Sequence, residues 1–320
     1  MIMSKPFRNI LLIDTIHPCF IEELSAAGFT FVEGYKMGRE DVLQSIHLYD
    51  GIAIRSRMKL DKEILDKAVH LKFIARAGVG MENIDVAYAE SKNIKCLHAP
   101  EGNRDAVGEH VVGMLLSLFN NLNKADREVR EGKWIREGNR GIELMGKTIG
   151  IIGYGNMGMA LAKRLLGFDV HAIAYDKYKS GFSDSFAKEV TLEEIFELSD
   201  VISLHLPITE ETANMVNDSF IQKFKKNIYI VNTARGKILN THDLVESIKQ
   251  GKVLGACLDV LEYESLSFEN LSPKDFPEPF QYLIKSDKVL LTPHIAGWTH
   301  ESNVKIAMVL VEKIKGLFLG

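Results

Sequence analysis

Short apolar runs alternate along the first hundred residues with segments whose apolar side chains recur every three or four positions. The runs are typical of strands and the spaced segments of helices, because these are the side-chain periods of the two structures. The predicted strands are 9–13, 51–56, 71–77 and 94–98, and the predicted helices are 20–27, 61–68 and 83–92. This alternation predicts a mostly parallel α/β sheet.

A helical pattern over 106–122 leads into a second run of the same kind. Helical segments separate its six predicted strands, which are 148–152, 170–175, 201–206, 228–232, 253–258 and 288–291. Six strands in this alternation predict a doubly wound sheet of the dinucleotide-binding type. The last helical pattern, 300–318, has no strand of its own to cover, so we expect it to return to the first unit and make that domain discontinuous.

The composition is that of a globular protein, and the length predicts one large domain or two ordinary ones. The chain has 320 residues, of which 46% are hydrophobic and 26% charged. A net charge of −4 offers no general attraction for nucleic acid or an anionic membrane. The three cysteines are widely spaced, and no signal peptide or membrane-spanning run is evident. We therefore expect a cytoplasmic protein, and the absence of a metal-ligand motif predicts no metal site.

A glycine motif follows the first strand of the second run. Gly153, Gly155 and Gly158 form G-x-G-x-x-G directly after apolar residues and before a series of helix formers. The first glycine permits the tight turn, the second lets backbone approach a pyrophosphate, and the third lets helix and strand pack closely. The N–H groups around Asn156 and Met157 then face the phosphates at a helix N-terminus.

Asp176 stands at the end of the next predicted strand, 18 residues after Gly158. A carboxylate there accepts hydrogen bonds from the ribose hydroxyls of NAD and repels the 2′-phosphate of NADP. Lys177 and Lys179 follow, which weakens this preference without reversing it. The motif predicts NAD as the cofactor.

Ionisable side chains follow three later strands of the same run. Arg235 comes after the fourth strand, Asp259, Glu262 and Glu264 after the fifth, and His294 after the sixth. Ligands bind outside the carboxyl ends of strands in such sheets. A guanidinium, carboxylates and an imidazole at that edge predict an active site beside the cofactor.

These residues resemble the D-isomer-specific 2-hydroxyacid dehydrogenase family over nearly the whole chain. The similar segments are 76–85, the glycine motif, 231–236, 258–260 with Glu264, and 292–294. Segments 54–57 and 76–80 look most like the 3-phosphoglycerate dehydrogenase branch. The resemblance implies a flavodoxin-like substrate domain at 1–98 and 295–320, an NAD-binding Rossmann domain at 99–294, and a homodimer.

The resemblance also implies roles at the site. His294 would be the acid and base that exchanges a proton with substrate, and Glu264 would hold its imidazole and raise its pKa. Arg235 would bind the substrate carboxylate. Further substrate contacts are implied for Gly78, Val79 and Asn103, and further cofactor contacts for Thr233, Ala234, Asp259, Val107 and Gly297.

Two features bear on the substrate. Arg55, Arg57 and Lys59 alternate on a stretch predicted to be extended, so they would share one side and, with Ser56, suit a substrate phosphate. An exposed basic strand end is the alternative interpretation. Trp298 departs from the small residue common in the phosphoglycerate branch and would favour a smaller 2-oxo acid.

The segment 265–285 also departs from the family pattern, because it is longer and contains three phenylalanines and three prolines. We expect the prolines to interrupt any helix, and we interpret the segment as a lid or a dimer contact.

The expected function is NAD-dependent interconversion of a D-2-hydroxy acid and its 2-oxo acid. The substrate would be 3-phosphoglycerate, which places the protein in serine biosynthesis. Hydroxypyruvate or glyoxylate reduction is the nearest alternative. An NADH-sensing protein similar to the transcriptional corepressors of this family is a second alternative, from a different functional class.

Overall fold

The computed structural model describes residues 8–264 and 276–319 of the chain. Their contacts divide the protein into two units, Met1–Asn103 with Trp298–Gly320 and Arg104–Gly297. The two boundaries lie five and three residues further along the chain than those expected from the sequence.

The first unit contains a five-stranded sheet in which every neighbouring pair of strands is parallel. Its strands are β1 (Asn9–Leu12), β2 (Thr30–Glu33), β3 (Gly51–Ile54), β4 (Phe73–Arg76) and β5 (Lys95–His98). The order β2-β1-β3-β4-β5 is the flavodoxin-like one, as predicted. The helices of this unit are α1 (Pro18–Ala26), α2 (Arg39–Ser45), α3 (Lys62–Lys67), α4 (Val86–Ser91) and α12 (His300–Leu319).

The second unit contains a seven-stranded parallel sheet. Its strands are β6 (Thr148–Ile152), β7 (His171–Tyr175), β8 (Lys188–Glu189), β9 (Val201–Leu204), β10 (Ile228–Asn232), β11 (Val253–Leu258) and β12 (Val289–Leu291). In the order β12-β11-β10-β9-β6-β7-β8, strands β7 and β8 lie on one side of β6 and strands β9 to β12 on the other. This arrangement confirms the predicted doubly wound class.

The described residues contain seven further α-helices. They are α5 (Pro100–Phe119), α6 (Leu122–Arg130), α7 (Asn156–Leu165), α8 (Leu192–Leu198), α9 (Asp218–Ile221), α10 (Thr241–Lys249) and α11 (Glu278–Leu283). Helix α5 begins in the first unit and continues into the second.

Burial explains which strands the sequence predicts. The central strands β9 and β10 are apolar and almost wholly buried, because helices cover both faces of a parallel sheet. Strand β2 lies at a sheet edge and buries none of its four residues fully, and β8 has only two residues. Neither strand was predicted, since neither forms an apolar run.

Helix α12 packs within the first unit. Ala307, Leu310 and Ile314 belong to the same buried cluster as Phe20 and Leu24 of α1. The terminal helical pattern therefore covers the sheet of the first unit, as its lack of a partner strand implied.

Candidate active site

The glycine motif forms the turn between β6 and α7, at the point where the strand order reverses. Gly153 has φ of 95°, a left-handed conformation that favours glycine. A Cβ at Gly158 would overlap the carbonyl oxygen of Gly153, whereas a Cβ at Gly155 would meet open space. Asn156 and Met157 open helix α7, so their N–H groups have no acceptor within the helix. This turn can hold an anionic group at the helix N-terminus.

Asp176 follows β7 and is tied to the glycine turn. Its Oδ2 accepts a hydrogen bond from the N–H of Tyr154 at 2.9 Å, and its Oδ1 accepts one from the N–H of Tyr178 at 3.0 Å. Tyr154 is 1% exposed, and its hydroxyl contacts both carboxylate oxygens of Asp184. The carboxylate that would bind a ribose is therefore held against the turn that would bind the phosphates.

The turn after β10 presents Arg235. The amide of the buried Asn232 accepts the N–H of Ala234 at 3.1 Å and donates to the carbonyl oxygen of Arg235 at 3.0 Å. The next residue is Gly236, where a Cβ would overlap the carbonyl oxygen of Leu261. Glycine is required here because the turn packs directly against the chain that follows β11.

Thr233 in the same turn has a hydroxyl oxygen that is buried without a hydrogen-bond partner among the described residues. Buried polar groups are almost always paired, so this hydroxyl is a candidate to bind a polar group of a cofactor. Together with the glycine turn and Asp176, it fits NAD.

Glu264 and His294 form the ionisable pair of the site. Glu264 Oε1 lies 3.0 Å from Nδ1 of His294, and both side chains are partly exposed. The hydrogen bond to Glu264 raises the pKa of His294, and the charges of Glu264 and Asp259 act in the same direction. Burial and the positive charge of Arg235 oppose the rise. Arg235 and Glu264 thus lie near enough to His294 for their charges to act on its pKa.

The backbone of His294 is in the left-handed region, with φ of 56°. Its N–H donates to the carbonyl oxygen of Asp259 at 2.7 Å. Residues other than glycine adopt this conformation rarely, and such strain is concentrated at functional sites.

Asp259 is bonded to the turn that follows β12. Its carboxylate is fully buried and accepts hydrogen bonds from the N–H groups of Ile295 and Ala296, both at 2.8 Å, and from the hydroxyl of Thr292 at 2.6 Å. These bonds hold the turn that carries His294. A carboxylate can accept about four hydrogen bonds, so the expected contact of Asp259 with the cofactor stays a prediction.

His110 is a residue of this network that the sequence analysis missed. Its Nε2 lies 3.1 Å from the hydroxyl oxygen of Thr292 and 3.7 Å from Oδ1 of Asp259. The sequence gives little signal for it, because His110 lies within α5, 149 positions before Asp259.

In the first unit, Arg55 and Arg57 follow β3 but have different surroundings. The guanidinium of Arg55 lies 4.7 Å from the ring centroid of Trp298, a cation–π contact. The guanidinium of Arg57 donates to the carbonyl oxygens of Ile13, Gly34 and Met37 and lies 3.3 Å from Asp14.

The prediction that both arginines face the same substrate phosphate is therefore not supported for Arg57. The alternation argument fails because β3 ends at Ile54, so residues 55–59 do not continue the strand. Ser56 is exposed between the two arginines, and its substrate role stays a prediction.

The turn after β4 contains Gly78 and Val79. The N–H of Gly78 donates to the carbonyl oxygen of Arg76 at 2.8 Å, and the implied substrate contacts of Gly78 and Val79 stay predictions. A Cβ on Gly78 would overlap the guanidinium of Arg76, which lies over this turn. Arg76 begins the similar segment 76–85, and the sequence analysis assigned it no role. Asn103 has a buried side-chain oxygen without a described partner, which is compatible with its predicted role.

Three further predictions have less structural support. Val107 is buried in α5 and Gly297 is the last residue of the second unit, so their cofactor roles stay predictions. The segment 265–285 lies partly outside the described residues. Its described part contains α11, with Pro279 in the first helical turn, where proline is tolerated. Phe280 packs in the core of the second unit, and the lid or dimer role of the segment stays a prediction.

Two kinds of feature are absent from the described residues. They contain no group of three or more His, Cys, Asp or Glu side chains placed to hold a metal ion. Across residues 8–264 and 276–319, no helix combines the length and apolarity needed to cross a membrane.

A doubly wound sheet with this glycine turn, a carboxylate after β7 and an imidazole–carboxylate pair is typical of a nicotinamide-dinucleotide-binding protein. The sequence model described as D-isomer specific 2-hydroxyacid dehydrogenase, NAD binding domain, matches residues 112–296. The chain belongs to the D-isomer-specific 2-hydroxyacid dehydrogenase family, which confirms the resemblance and supports NAD as the cofactor.

Named relatives of different specificity match the chain. A hydroxypyruvate reductase of Thermotoga maritima is 39% identical over 86% of this chain and 87% of its own length. A D-3-phosphoglycerate dehydrogenase of Archaeoglobus fulgidus is 38% identical over 89% of this chain, which spans about half (52%) of that relative. The crystal structure of a D-lactate dehydrogenase from Aquifex aeolicus with NAD and lactic acid superposes with a TM-score of 0.81 and 28% identity, covering 98% of this chain and 96% of that one.

Proposed function

We propose that the protein is an NAD-dependent oxidoreductase that interconverts a D-2-hydroxy acid and its 2-oxo acid. The observation that supports this most directly is the Glu264–His294 pair beside Arg235 in the NAD-binding unit. A carboxylate-bound imidazole suits a proton exchange, and a guanidinium suits a substrate carboxylate.

Each group has a defined task in this proposal. Glu264 accepts the hydrogen bond from Nδ1 of His294, so Nε2 is the atom that exchanges a proton with substrate. In reduction His294 donates this proton to the 2-oxo oxygen, and in oxidation it takes the proton back. Arg235 binds the substrate carboxylate and polarises the adjacent carbonyl group. NAD supplies or accepts the hydride when bound.

For the substrate we propose D-3-phosphoglycerate and its 2-oxo acid, which would assign the protein to serine biosynthesis. The supporting observation is Arg55, whose guanidinium lies over the ring of Trp298 and can donate hydrogen bonds to a phosphate. Hydroxypyruvate is the second candidate. The hydroxypyruvate reductase of Thermotoga maritima favours it, since the match covers 87% of that relative. Trp298 also favours it, because its bulk suits a smaller acid.

The test is to follow NADH oxidation by the purified protein with 3-phosphohydroxypyruvate, hydroxypyruvate, glyoxylate and pyruvate. We expect turnover that is abolished in His294→Asn while NADH binding persists. Preference for the phosphorylated acid supports the first substrate, and preference for an unphosphorylated acid supports the second. Tight NADH binding without turnover of any acid would overturn the enzymatic proposal and favour a corepressor-like NADH sensor.

The proposed assembly is a homodimer formed through the segment 122–145 of the second unit. Helix α6 buries none of its side chains, and exposed apolar residues continue beyond it. The exposed apolar side chains of this segment are those of Leu122, Val129, Trp134, Ile135, Ile142 and Met145. In this proposal a second copy of the chain covers these side chains, since exposed apolar surface often marks an interface. The three free cysteines fit the cytoplasmic location that we propose.

A further inference from the structure

Two lysines follow Asp176, and each ammonium group has a partner within the second unit. Lys177 Nζ forms an ion pair with Oε1 of Glu211. Lys179 Nζ donates to the carbonyl oxygen of Tyr154 at 2.8 Å. From the sequence, these lysines are expected to weaken the preference for NAD. In the structure, however, Lys177 is paired with Glu211 and Lys179 is bonded to Tyr154.

Glu211 stands on a turn that its neighbours hold in place. The hydroxyl of Thr212 accepts the N–H of Thr209 at 2.8 Å and donates to the carbonyl oxygen of Pro207 at 2.7 Å. The hydroxyl of Tyr178 donates to Oε2 of Glu211 at 2.7 Å. The carboxylate therefore has a partner on each oxygen and joins the turn to the chain that follows β7.

The charges around Asp176 determine which dinucleotide is preferred. NADP carries an additional phosphate on the ribose 2′-oxygen, and proteins that accept it place a cation beside that position. The side chains of Asp176, Lys177, Lys179 and Glu211 sum to zero charge. Without Glu211 the same group carries one net positive charge, and Lys177 loses its ion-pair partner.

We propose that Glu211 is a selectivity residue for the cofactor. By pairing with Lys177 it withholds the cation that a 2′-phosphate would bind, so the protein discriminates against NADP(H) with two residues, Asp176 and Glu211. This inference rests on the cofactor part of the proposed function. Because Lys177 and Glu211 are about half exposed, the expected effect of breaking the pair is about two- to fivefold.

The test is a fluorescence titration of the purified protein with NADH and with NADPH, which measures binding without turnover. Glu211→Gln should tighten the Kd for NADPH about two- to fivefold and leave the Kd for NADH within twofold. Glu211→Asp, which keeps the charge, should retain the selectivity of the wild type. The gain should shrink as salt is added, because the new attraction is electrostatic.

Two variants show whether the effect passes through Lys177. Glu210→Gln removes the same charge from the neighbouring exposed residue, which is not the partner in the Lys177 ion pair. It should leave the ratio of the two Kd values unchanged. Lys177→Ala combined with Glu211→Gln should lose the gain in NADPH affinity. An unchanged ratio in Glu211→Gln, or an equal gain in Glu210→Gln, would overturn the proposal.

The outcome is separable from that of the catalytic proposal. If no 2-oxo acid is turned over but Glu211→Gln alters the Kd ratio as stated, the enzymatic function fails and the selectivity role stands. If turnover with NADH is normal and the ratio does not move, the reverse holds.

Discussion

Oε1 of Glu264 lies 3.0 Å from Nδ1 of His294, and this contact joins the chain after β11 to the turn after β12. The carboxylate stabilises the protonated imidazole, so the pKa of His294 lies above its ordinary value. The pair is partly open to solvent, which limits its contribution to stability but leaves its protons exchangeable.

Replacing Glu264 with Gln should lower the pKa of His294, because the hydrogen bond to a carboxylate is the largest cause of its rise. Reduction of a 2-oxo acid needs protonated His294, so its rate should fall at a lower pH in the variant than in the wild type. The pH profile of kcat/KM measures this shift. If the rate falls at the same alkaline pH in the variant and in the wild type, Glu264 does not raise the pKa of His294.

Asp259→Asn should destabilise the protein by about 1–3 kcal/mol, because one carboxylate oxygen becomes an NH2 group facing a backbone N–H. Turnover should fall, since the turn that carries His294 loses an acceptor. The Kd for NADH should stay within twofold of wild type. Urea unfolding and NADH titration measure the two quantities. A weakened Kd with unchanged stability would instead favour a direct contact between Asp259 and the nicotinamide.

Arg55→Ala and Arg57→Ala form a matched pair with opposite expectations. Arg57→Ala should lower the free energy of unfolding by about 2 kcal/mol, because three carbonyl oxygens lose a charged donor. Arg55→Ala should leave stability within about 0.5 kcal/mol and raise the KM for the phosphorylated acid at least tenfold. Thermal unfolding and steady-state kinetics separate the two effects. Equal kinetic losses at equal stability would contradict the assignment.

His205 should contribute to acid sensitivity. Its Nε2 lies 2.8 Å from the hydroxyl of Ser203, and burial lowers its pKa to about 4. Between this value and the ordinary value of about 6.5, the unfolded chain binds more protons, so stability present above pH 6.5 is lost as the pH falls. His205→Gln should reduce this loss, measured as the melting temperature against pH. His171→Gln, an exposed control in the same unit, should follow the wild-type curve; parallel curves for all three proteins would refute the prediction.

Trp134→Asp should dissociate the proposed homodimer. Trp134 is 81% exposed, and a charge in an apolar interface would lose its hydration there. Light scattering after size exclusion should give twice the 35.9 kDa chain mass for wild type and the single mass for the variant. Leu48→Asp, an exposed apolar position in the first unit, should stay dimeric. A wild-type protein of single mass would refute the proposed assembly.

The sheet and most of the site could be predicted because they depend on local patterns. Strands buried on both faces form apolar runs, and the glycine motif reflects backbone sterics within six residues. Arg235, Glu264 and His294 follow strand ends, and strand ends of a parallel sheet share an edge. Strand β2 was missed because an edge strand with little burial leaves no apolar run.

The partners of individual polar side chains could not be predicted. Arg55 and Arg57 are two residues apart, yet one lies over an aromatic ring and the other binds carbonyl oxygens. The end of β3 at Ile54 decides this, and strand ends are set by tertiary contacts. The contact between Asp259 and His110 could not be predicted either, since the two residues are far apart in the sequence.

The return of α12 to the first unit has a consequence for synthesis on the ribosome. The second unit is a continuous stretch, Arg104–Gly297, whereas the buried cluster around Phe20 needs Leu310 and Ile314. During translation the later half of the molecule can finish its core while the earlier half still waits for its last helix. The apolar surface of β1 and α1 is thus exposed on the nascent chain until α12 has been made. We expect a chaperone to bind this surface, because exposed apolar surface promotes aggregation.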